Sequence, residues 1–357
     1  MSIENAELKI ATVKDAEKAI KALRKVDSCK MLDHALEMPG QIVSAIESSE
    51  GFNAGDIPLD RSRVHLVGLG GSAVAGELLQ DMLAPRRMVS LHYGTLPLRD
   101  RRGVIVSSYS GDTDEVVELS RQVTGGLRTV VFVTSGGMLA RVGDELALPI
   151  WAIPGGYQPR AAVGWSLAYL VCIMERWRVF HGVKERLLKA AKRLAASLEQ
   201  GKLSEHLIVR AALPIAEALR GRYGVIFHSL RCAGASSRLT SQINENSKQP
   251  AFSLQVPEAI HNTVEGIFGG EAQHWSLVFM SDTNDPPSLR EALMRALKYF
   301  TDHGFRCMPY PAAGEGQFEL TLSRLLLADF VSLFLAASKG LDPTPLTAIT
   351  ELKSGVK

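Results

Sequence analysis

The chain has 357 residues, of which 46% are apolar and 22% are charged, as in an ordinary soluble globular protein. At roughly 100 to 200 residues per domain, this length favours two domains with a sizeable buried core. Lys and Arg number 40 against 38 Asp and Glu, so the formal charge of +2 offers no strongly charged face for nucleic acid or anionic membrane. The longest nearly unbroken apolar stretch, residues 163–174, is shorter than the roughly 18 residues that a membrane-spanning helix needs. We therefore expect no nucleic-acid partner and no membrane segment.

The cysteines and the N-terminal residues both favour a reducing, cytoplasmic location. Cys29, Cys172, Cys232 and Cys307 lie far apart, without the C-x-x-C spacing of a zinc or redox site or the density of a disulfide scaffold. Residues 1–23 alternate charged and short apolar residues and contain no apolar core of a secretory signal. We expect a cytoplasmic protein without a structural metal.

The first half of the chain changes from a helical pattern to an alternation of strands and helices. Residues 5–50 carry apolar positions at helical spacing and predict leading helices that brace the rest of the fold. From Arg61 onward, short β-rich runs are each followed by glycines and then by a helical stretch. These runs are VHLVGLGG, MVSLHYG, GVIVSSYSG, TVVFVTSGG and ALPIWAIPGG. Near-continuous apolar strands of this kind predict a parallel sheet covered by helices on both faces.

The second half of the chain repeats this alternation of strands and helices. Residues 160–220 read as helices, and the charged run KERLLKAAKRLAASLEQ is typical of a solvated face or connector. A new alternation starts with YGVIFHS at Tyr223, continues through SLVFMSD, and ends with the helical LTLSRLLLADFVSLFLAASKG. Pro343 and Pro345 predict the start of a short terminal helix. The predicted organisation is bracing helices at 1–55, a first three-layer α/β/α domain at 56–200, and a second such domain with the C-terminal helix at 201–357.

The sharpest local signal is a glycine-rich turn between the strand VHLVG and the helix AVAGELLQDML. It contains Gly68, Gly70, Gly71 and Ser72. Glycines let the backbone approach a ligand closely, and the free N–H groups at a helix start attract an anion. The turn is therefore a candidate cradle for a phosphate.

The same turn fits the dinucleotide pattern G-x-G-x-x-A, so a nicotinamide enzyme is an alternative. That reading needs an acidic residue at the end of the next strand to hold the adenine ribose. The next strand ends in His92, Tyr93 and Gly94, and the nearest acid is Asp100. A P-loop is excluded because no Gly-Lys-Ser or Gly-Lys-Thr follows the glycines.

A second turn, after the strand GVIVS, brings three hydroxyls close to one helix start. It contains Ser108, Ser110, Asp112 and Thr113. A single such residue is usually only a helix cap. Here, however, two strands of one parallel sheet each end in a Gly and Ser turn, and such turns meet at the carboxyl edge where ligands bind. The hydroxyls of Ser72 in the first turn and of Ser108, Ser110 and Thr113 in the second predict a phosphate site that needs no metal and no lysine.

At these turns the sequence resembles the sugar isomerase (SIS) domain, whose phosphate site is built from a G-G-S turn and an S-x-S-G-x-T turn. A cluster in the second half narrows the resemblance to the bifunctional phosphoglucose/phosphomannose isomerase family. The cluster comprises TSQINENSKQP at 240–250, PEAIHN at 257–262, Asp342-Pro343 and Leu352-Lys353. The resemblance runs from about residue 30 to the C-terminus, and the Q-I-N-E-N-x-K string is far more specific than either serine turn. It implies tandem SIS domains, a homodimer, and cofactor-free interconversion of glucose 6-phosphate or mannose 6-phosphate with fructose 6-phosphate.

The resemblance also assigns catalytic roles. Glu245 is the candidate base, because one carboxylate within reach of C1 and C2 can accept and return the proton that moves between them. His261 is a candidate for opening the sugar ring, since its ordinary pKa lets it exchange protons in either direction. In the resembled family this histidine reaches the substrate from the neighbouring subunit.

Two cations complete the predicted site. Arg160 aligns with the family's P-R motif and would stabilise negative charge on the enediolate, with Pro159 starting the helix that aims it. Lys353 aligns with the lysine of the terminal L-K segment and would serve ring opening or hold the sugar hydroxyls. The sequence departs from the family at Asp112, where S-x-S-G-N-T is usual, and at Thr263, where the segment usually reads N-H-N-E. A SIS-type protein that binds a sugar phosphate without turning it over remains the alternative function.

Overall fold

The structure is a computed structural model that describes residues 9–93, 102–123 and 129–355. Within these residues the strands form two separate parallel sheets. The strands are β1 (Asp60–Val67), β2 (Val89–His92), β3 (Arg102–Ser107), β4 (Val130–Thr134), β5 (Ile150–Ala152), β6 (Tyr223–His228), β7 (Ala251–Gln255), β8 (Trp275–Met280) and β9 (Arg306–Pro309). The order is β2-β1-β3-β4-β5 in the first sheet and β7-β6-β8-β9 in the second. The predicted fold of two parallel sheets flanked by helices is confirmed.

Helices connect and cover the strands. They are α1 (Val13–Val26), α2 (Met31–Ser48), α3 (Gly71–Leu83), α4 (Asp114–Val123), α5 (Gly137–Glu145), α6 (Val163–Arg176), α7 (Val183–Glu199), α8 (Leu207–Leu219), α9 (Ala233–Ser247), α10 (Thr263–Phe268), α11 (Pro287–Asp302), α12 (Gln317–Ser338) and α13 (Thr347–Ser354). The charged run at 184–200 falls in α7, whose inner face, with Leu187 and Ala190, is buried. Its charged side chains lie on the opposite, exposed face, so the run is the solvated face of a helix.

Successive residues of each strand point into different cores because side chains alternate across a sheet. In β3, Val104 and Val106 pack towards α4 and α5, whereas Ile105 packs towards α3 and α6. The second sheet shows the same alternation: Phe227 packs with α11, and Ile226 packs in the cluster that contains the inner helices α8, α9 and α12. Both sheets are therefore covered on both faces, as predicted.

The inner helices belong to one hydrophobic cluster that includes residues from both sheets. Helix α12 lies within this cluster and is buried over most of its length. It is also the one helix among the described residues long and apolar enough to cross a membrane, yet 94% of its most apolar window is buried inside the protein. The division at residues 55 and 200 remains a proposal, since the shared core joins the segments on either side.

The topology brings the two predicted phosphate turns together. β1 lies between β2 and β3, and Val67 pairs with Val106 of β3 near the carboxyl ends of both strands. The order of strands reverses here, and in open α/β sheets ligands bind outside the carboxyl edge at such a point.

Candidate active site

The glycine-rich turn after β1 requires residues without a side chain at two positions. A Cβ added at Gly68 would lie 3.0 Å from the Ser107 carbonyl oxygen, and Gly70 has a positive φ of 54°. Gly71 opens α3, and the Ser72 side chain is buried in its first turn. Among the described residues, nothing hydrogen-bonds the Ser72 hydroxyl, so this donor stays available for a ligand at the helix start.

The hydroxyl turn after β3 is tied together by its own side chains. The Ser108 and Thr113 hydroxyl oxygens lie 3.1 Å apart, and the Gly111 N–H donates to Ser108 Oγ at 3.2 Å. Ser110 is exposed, and its Oγ accepts from the Asp112 N–H at 3.3 Å. The structure thus places Ser108, Ser110 and Thr113 around one turn that immediately precedes α4.

Asp112 caps the neighbouring helix. The Met138 N–H donates to Asp112 Oδ1 at 2.8 Å, so the carboxylate satisfies a free donor at the start of α5. The approach is close, because a Cβ added at Gly137 would lie 2.7 Å from Asp112 Oδ1. Asp112 therefore fills a capping role that the side-chain oxygen of the family's usual asparagine also suits.

Arg160 lies inside the protein in a short 3-10 turn, Pro159–Ala161, and is 3% exposed. Its Nε donates to Asn246 Oδ1 at 2.8 Å, and its Nη2 donates to the carbonyls of Pro343 at 2.8 Å and Thr344 at 2.9 Å. Its Nη1 is buried without a hydrogen-bond partner and lies 3.7 Å from Glu245 Oε2. Burial lowers the pKa of the guanidinium, and the charge of Glu245 opposes that shift.

Glu245 occupies the last turn of α9, and its side chain is 24% exposed. The end of this helix is held by Lys248, which has a left-handed φ of 51°. Lys248 Nζ donates to the Glu245 carbonyl at 2.8 Å and to the Pro343 carbonyl at 3.1 Å. Burial lowers the pKa of Lys248, with the neighbouring Arg160 charge acting in the same direction. The carboxylate of Glu245 is therefore presented from a firmly capped helix end.

Helices α3 and α9 run side by side in opposite directions. Near the end of α3, the Asp81 carboxylate accepts from the N–H groups of Gly234 at 3.1 Å and Ala235 at 2.9 Å, which open α9. At the other end, a Cβ on Gly71 would lie 3.3 Å from the Pro159 carbonyl oxygen and 3.6 Å from Arg160 Cα. The start of α3 and the end of α9 thus meet at Arg160, which joins the phosphate turn of the first half to the carboxylate of the second.

His261 lies elsewhere in the same chain. Glu245 is near the beginning of β7, because the neighbouring Asn244 side chain hydrogen-bonds the Ala251 backbone. His261 ends a 3-10 turn after the carboxyl end of β7 and is exposed. A five-residue strand spans roughly 16 Å, so Glu245 lies at the amino end of the strands of the second sheet and His261 at their carboxyl end.

Lys353 lies on the terminal helix α13 and is exposed. On the same helix, Ile349 and Leu352 are 42% and 79% exposed. The segment before α13 is anchored at the site by Arg160 and Lys248, but the helix itself presents both apolar and charged side chains outward.

Sequence reasoning missed a buried ion pair behind Arg160. Arg238, on α9, donates to Asp329 Oδ1 from Nε at 3.0 Å and from Nη2 at 2.6 Å. The detectable signal is a charge inside an otherwise apolar stretch, since Asp329 interrupts the buried helix α12 and buried charges are nearly always paired.

The dinucleotide alternative finds no acidic group among the described residues at the end of β2. His92 Nε2 instead lies 2.8 Å from His65 Nδ1 on β1. Gly94 and Asp100 fall outside the described residues.

Tandem parallel sheets with hydroxyl-bearing turns at the first carboxyl edge place the chain in the sugar isomerase class of α/β proteins. A family model described as "Bacterial phospho-glucose isomerase C-terminal SIS domain" matches residues 208–356. The bifunctional phosphoglucose/phosphomannose isomerase of Aquifex aeolicus (strain VF5) is 30% identical over 300 residues, covering 81% of this chain and 89% of the relative. The chain belongs to the bifunctional phosphoglucose/phosphomannose isomerase family.

Two further relatives are similar in sequence, and one solved structure shares the fold. The enzyme of the same name from Caldicellulosiruptor bescii is 27% identical, over 91% of this chain and 98% of the relative. A D-glucosamine-6-phosphate 4-epimerase from Sulfolobus acidocaldarius is 28% identical, over 57% of this chain and 63% of the relative. A hypothetical protein from Thermus thermophilus shares the fold with a TM-score of 0.65, at 15% identity, over 97% of this chain and 95% of that one.

Proposed function

We propose that the protein is an aldose-ketose isomerase that interconverts glucose 6-phosphate, mannose 6-phosphate or both with fructose 6-phosphate. The observation that carries the proposal is the buried, unpartnered Nη1 of Arg160, which faces the Glu245 carboxylate beside the phosphate turn. A fixed cation next to a carboxylate is what proton abstraction beside a carbonyl requires, because negative charge develops on the oxygen as the proton leaves.

The two turns of the first sheet hold the phosphate. The N–H groups of Gly70 and Gly71 and the Ser72 hydroxyl lie at the start of α3. The hydroxyls of Ser108, Ser110 and Thr113 lie before α4. Both helix starts carry partial positive charge, so the dianion is bound without a metal.

Glu245 carries the proton between the two carbons. Starting from the open aldose, the carboxylate takes the proton from C2, the C2–H electrons form the C1=C2 bond, and the C1 oxygen becomes an enediolate oxygen next to Arg160. The proton then returns from Glu245 to C1, the hydroxyl proton of O2 moves to O1, and the C2 carbonyl forms. A positioned general base of this kind contributes roughly 10² to 10⁴-fold in rate.

Ring opening falls to the remaining residues, and it requires a dimer. His261 lies at the carboxyl end of the strands of the second sheet and Glu245 at their amino end, so His261 serves the active site of the partner subunit in a homodimer. Lys353 of the terminal helix assists ring opening or holds the sugar hydroxyls. The free thiols among the described residues support a reducing, cytoplasmic setting for this activity.

One NMR experiment tests the proposal. The metal-stripped protein is incubated in D2O with each of the three hexose 6-phosphates separately, and we expect their interconversion with deuterium entering at C1 or C2. Formation of a C4 epimer instead would assign an epimerase, and measurable phosphosugar affinity without any turnover would assign a non-catalytic binding protein.

Glu245→Gln tests the role of the base. We expect this variant to lose deuterium exchange while it still binds a sugar-acid phosphate inhibitor within about threefold of the unsubstituted protein, because the phosphate turns are unchanged. Retained exchange removes Glu245 from the role of base. Glu217→Gln, on the exposed side of α8, is the control and leaves exchange unchanged.

A further inference from the structure

The ion pair of Arg238 and Asp329 lies directly behind the proposed site. The two residues are 3% and 4% exposed, and both Nε and Nη2 of Arg238 are committed to one carboxylate oxygen. A buried ion pair of this kind contributes little net stability compared with apolar residues of similar volume. Its location therefore calls for another role.

The third nitrogen of Arg238 reaches the backbone of the site. Arg238 Nη1 donates to the Arg160 carbonyl oxygen at 2.7 Å. Arg160 is thus held at both ends, by Arg238 at its main chain and by Asn246 at its side chain. Both holding residues belong to α9, which also carries Glu245.

The spacing on α9 explains how one helix reaches all three points. Arg238, Glu245 and Asn246 stand at positions i, i+7 and i+8, which lie on one face of a helix. The distance between the carboxylate and the facing guanidinium is consequently set by a single rigid element, the arrangement that precise placement of catalytic groups favours.

We propose that Arg238, oriented by Asp329, is a positioning residue that fixes Arg160 opposite Glu245 in the reaction. This inference rests on the proposed isomerase function, and it concerns stabilisation of the enediolate rather than capture of the phosphate. Within the described part of the chain, the hydrogen bonds of Arg238 go to Asp329 and the Arg160 carbonyl and not to Glu245 or the phosphate turns, so its effect passes through the Arg160 main chain.

Arg238→Lys tests the proposal while keeping a positive charge. A lysine has one ammonium group in place of the planar fork and does not pair with Asp329 and hold the Arg160 carbonyl in the same geometry. We expect kcat to fall roughly 10- to 100-fold through misplacement of Arg160, with KM within about threefold. The affinity for a phosphorylated hydroxamate that mimics the enediolate falls with kcat, whereas the affinity for glucitol 6-phosphate, which lacks that charge, stays unchanged.

The chain offers a matched control in a second buried ion pair. Arg324 Nη1 lies 2.9 Å from Asp282 Oδ2, and both side chains are fully buried. Asp282 follows the carboxyl end of β8, whereas Glu245 lies near the beginning of the parallel strand β7. Arg324→Lys should lower stability in urea comparably and leave both the kcat and the ratio of hydroxamate to glucitol 6-phosphate affinity as in the unsubstituted protein.

The outcomes separate cleanly. The proposal is overturned if Arg238→Lys keeps the affinity ratio, or if Arg324→Lys changes it equally. If Arg238→Lys does not fold, Asp329→Asn decides by the same ratio, since it keeps the acceptor oxygen and removes the charge; we expect a smaller fall in hydroxamate affinity alone. The proposed function fails separately, when the unsubstituted protein interconverts no hexose phosphate, and the affinity ratio remains measurable in that case.

Discussion

Arg160 is a charge held in the protein interior by neutral groups. Three of its hydrogen bonds go to an amide oxygen and two carbonyl oxygens, so the nearest carboxylate, Glu245, is left at 3.7 Å from Nη1. Burial lowers its pKa, but the guanidinium starts so high that it stays protonated. The site therefore keeps a positive charge with one uncommitted donor, ready for an oxygen that becomes negative during a reaction.

His228, at the end of β6, makes stability depend on pH. Burial lowers its pKa, and its Nδ1 lies 2.8 Å from the Ser229 carbonyl oxygen. Below about pH 6.5 the unfolded chain binds a proton that the folded protein does not, so the free energy of unfolding falls as the pH falls. The loss approaches about 1.4 kcal/mol per pH unit for one histidine until the pH reaches the lowered pKa of the folded state.

His228→Asn removes this titration and keeps a donor towards Ser229. We expect urea unfolding between pH 7 and pH 5 to show a shallower pH dependence for this variant than for the unsubstituted protein. The control is His274→Asn, since the His274 side chain is 57% exposed. Equal slopes for the unsubstituted protein and His228→Asn would contradict the expectation.

Among individual residues, the sequence identifies those that lie in a recognisable motif, but not those whose partners are distant in sequence. Glu245 and Arg160 were found because each lies in a recognisable string, and their approach to 3.7 Å depends on tertiary structure. Arg238 and Asp329 lie 91 positions apart, and no local pattern pairs them. Their partnership follows from the packing of α9 on α12, which a single sequence does not encode in any one segment.

The helices α3 and α9 set the site at the level of elements. Each presents its functional group from an end, the hydroxyl and N–H groups from the start of α3 and the carboxylate from the end of α9. Their opposite directions, fixed where Asp81 caps α9, bring these ends together. Burial raises the pKa of the Asp81 carboxyl, while the two N–H donors act to lower it.

Asp112 gives an element-scale prediction. Asp112→Asn keeps the oxygen that caps α5 and removes a negative charge from the turn that carries Ser110. We expect stability to stay within about 0.5 kcal/mol, because asparagine and aspartate are comparable caps. Phosphate-ester affinity rises roughly two- to fivefold at low salt, the size of one screened repulsion between exposed charges, and the gain shrinks as salt increases.

Isothermal titration at two ionic strengths measures this effect. Asp144→Asn, near the end of the same helix, is the control and leaves the affinity unchanged. An unchanged affinity for Asp112→Asn at low salt would show that the carboxylate is insulated from the ligand by its hydrogen bond to the Met138 N–H.

Sequence patterns predicted the five strands of the first sheet and the central strands of the second, and missed β7 and β9 at the edges of the second sheet. β3, β4, β6 and β8 are nearly continuous apolar runs because both of their faces are covered. The missed strand β7 is an edge strand with several exposed residues, so its composition carries less signal. This omission mattered, because β7 is the element that separates Glu245 from His261.

At the scale of the whole molecule, the shared core explains why a site can form between the two halves. The inner faces of both sheets pack on the same group of helices, with α12 in the middle. Arg160 comes from the first half and Glu245 from the second, and the core holds them in register. Composition and strand count predicted two sheets, but the common core depends on long-range packing between helices of the two halves.

The separation of Glu245 and His261 leads to a prediction about the dimer. If each active site takes Glu245 from one chain and His261 from its partner, Glu245→Gln and His261→Ala are both inactive alone. In a dimer that contains one chain of each variant, one site carries both substitutions and the other carries neither. Random exchange of equal amounts makes half of the dimers mixed, so the mixture should regain about a quarter of the unsubstituted specific activity.

A second mixture supplies the control, because Arg160 and Glu245 meet within one chain. Glu245→Gln mixed with Arg160→Lys leaves every site with one substitution, so the mixture should stay as inactive as its components. The measurement is a coupled assay for fructose 6-phosphate before and after subunit exchange at mild denaturant. Recovery in neither mixture would assign His261 to the chain that holds Glu245, and activity of His261→Ala on its own would remove His261 from catalysis. Recovery in both mixtures would mean that Arg160 and Glu245 act from different subunits despite their contact within one.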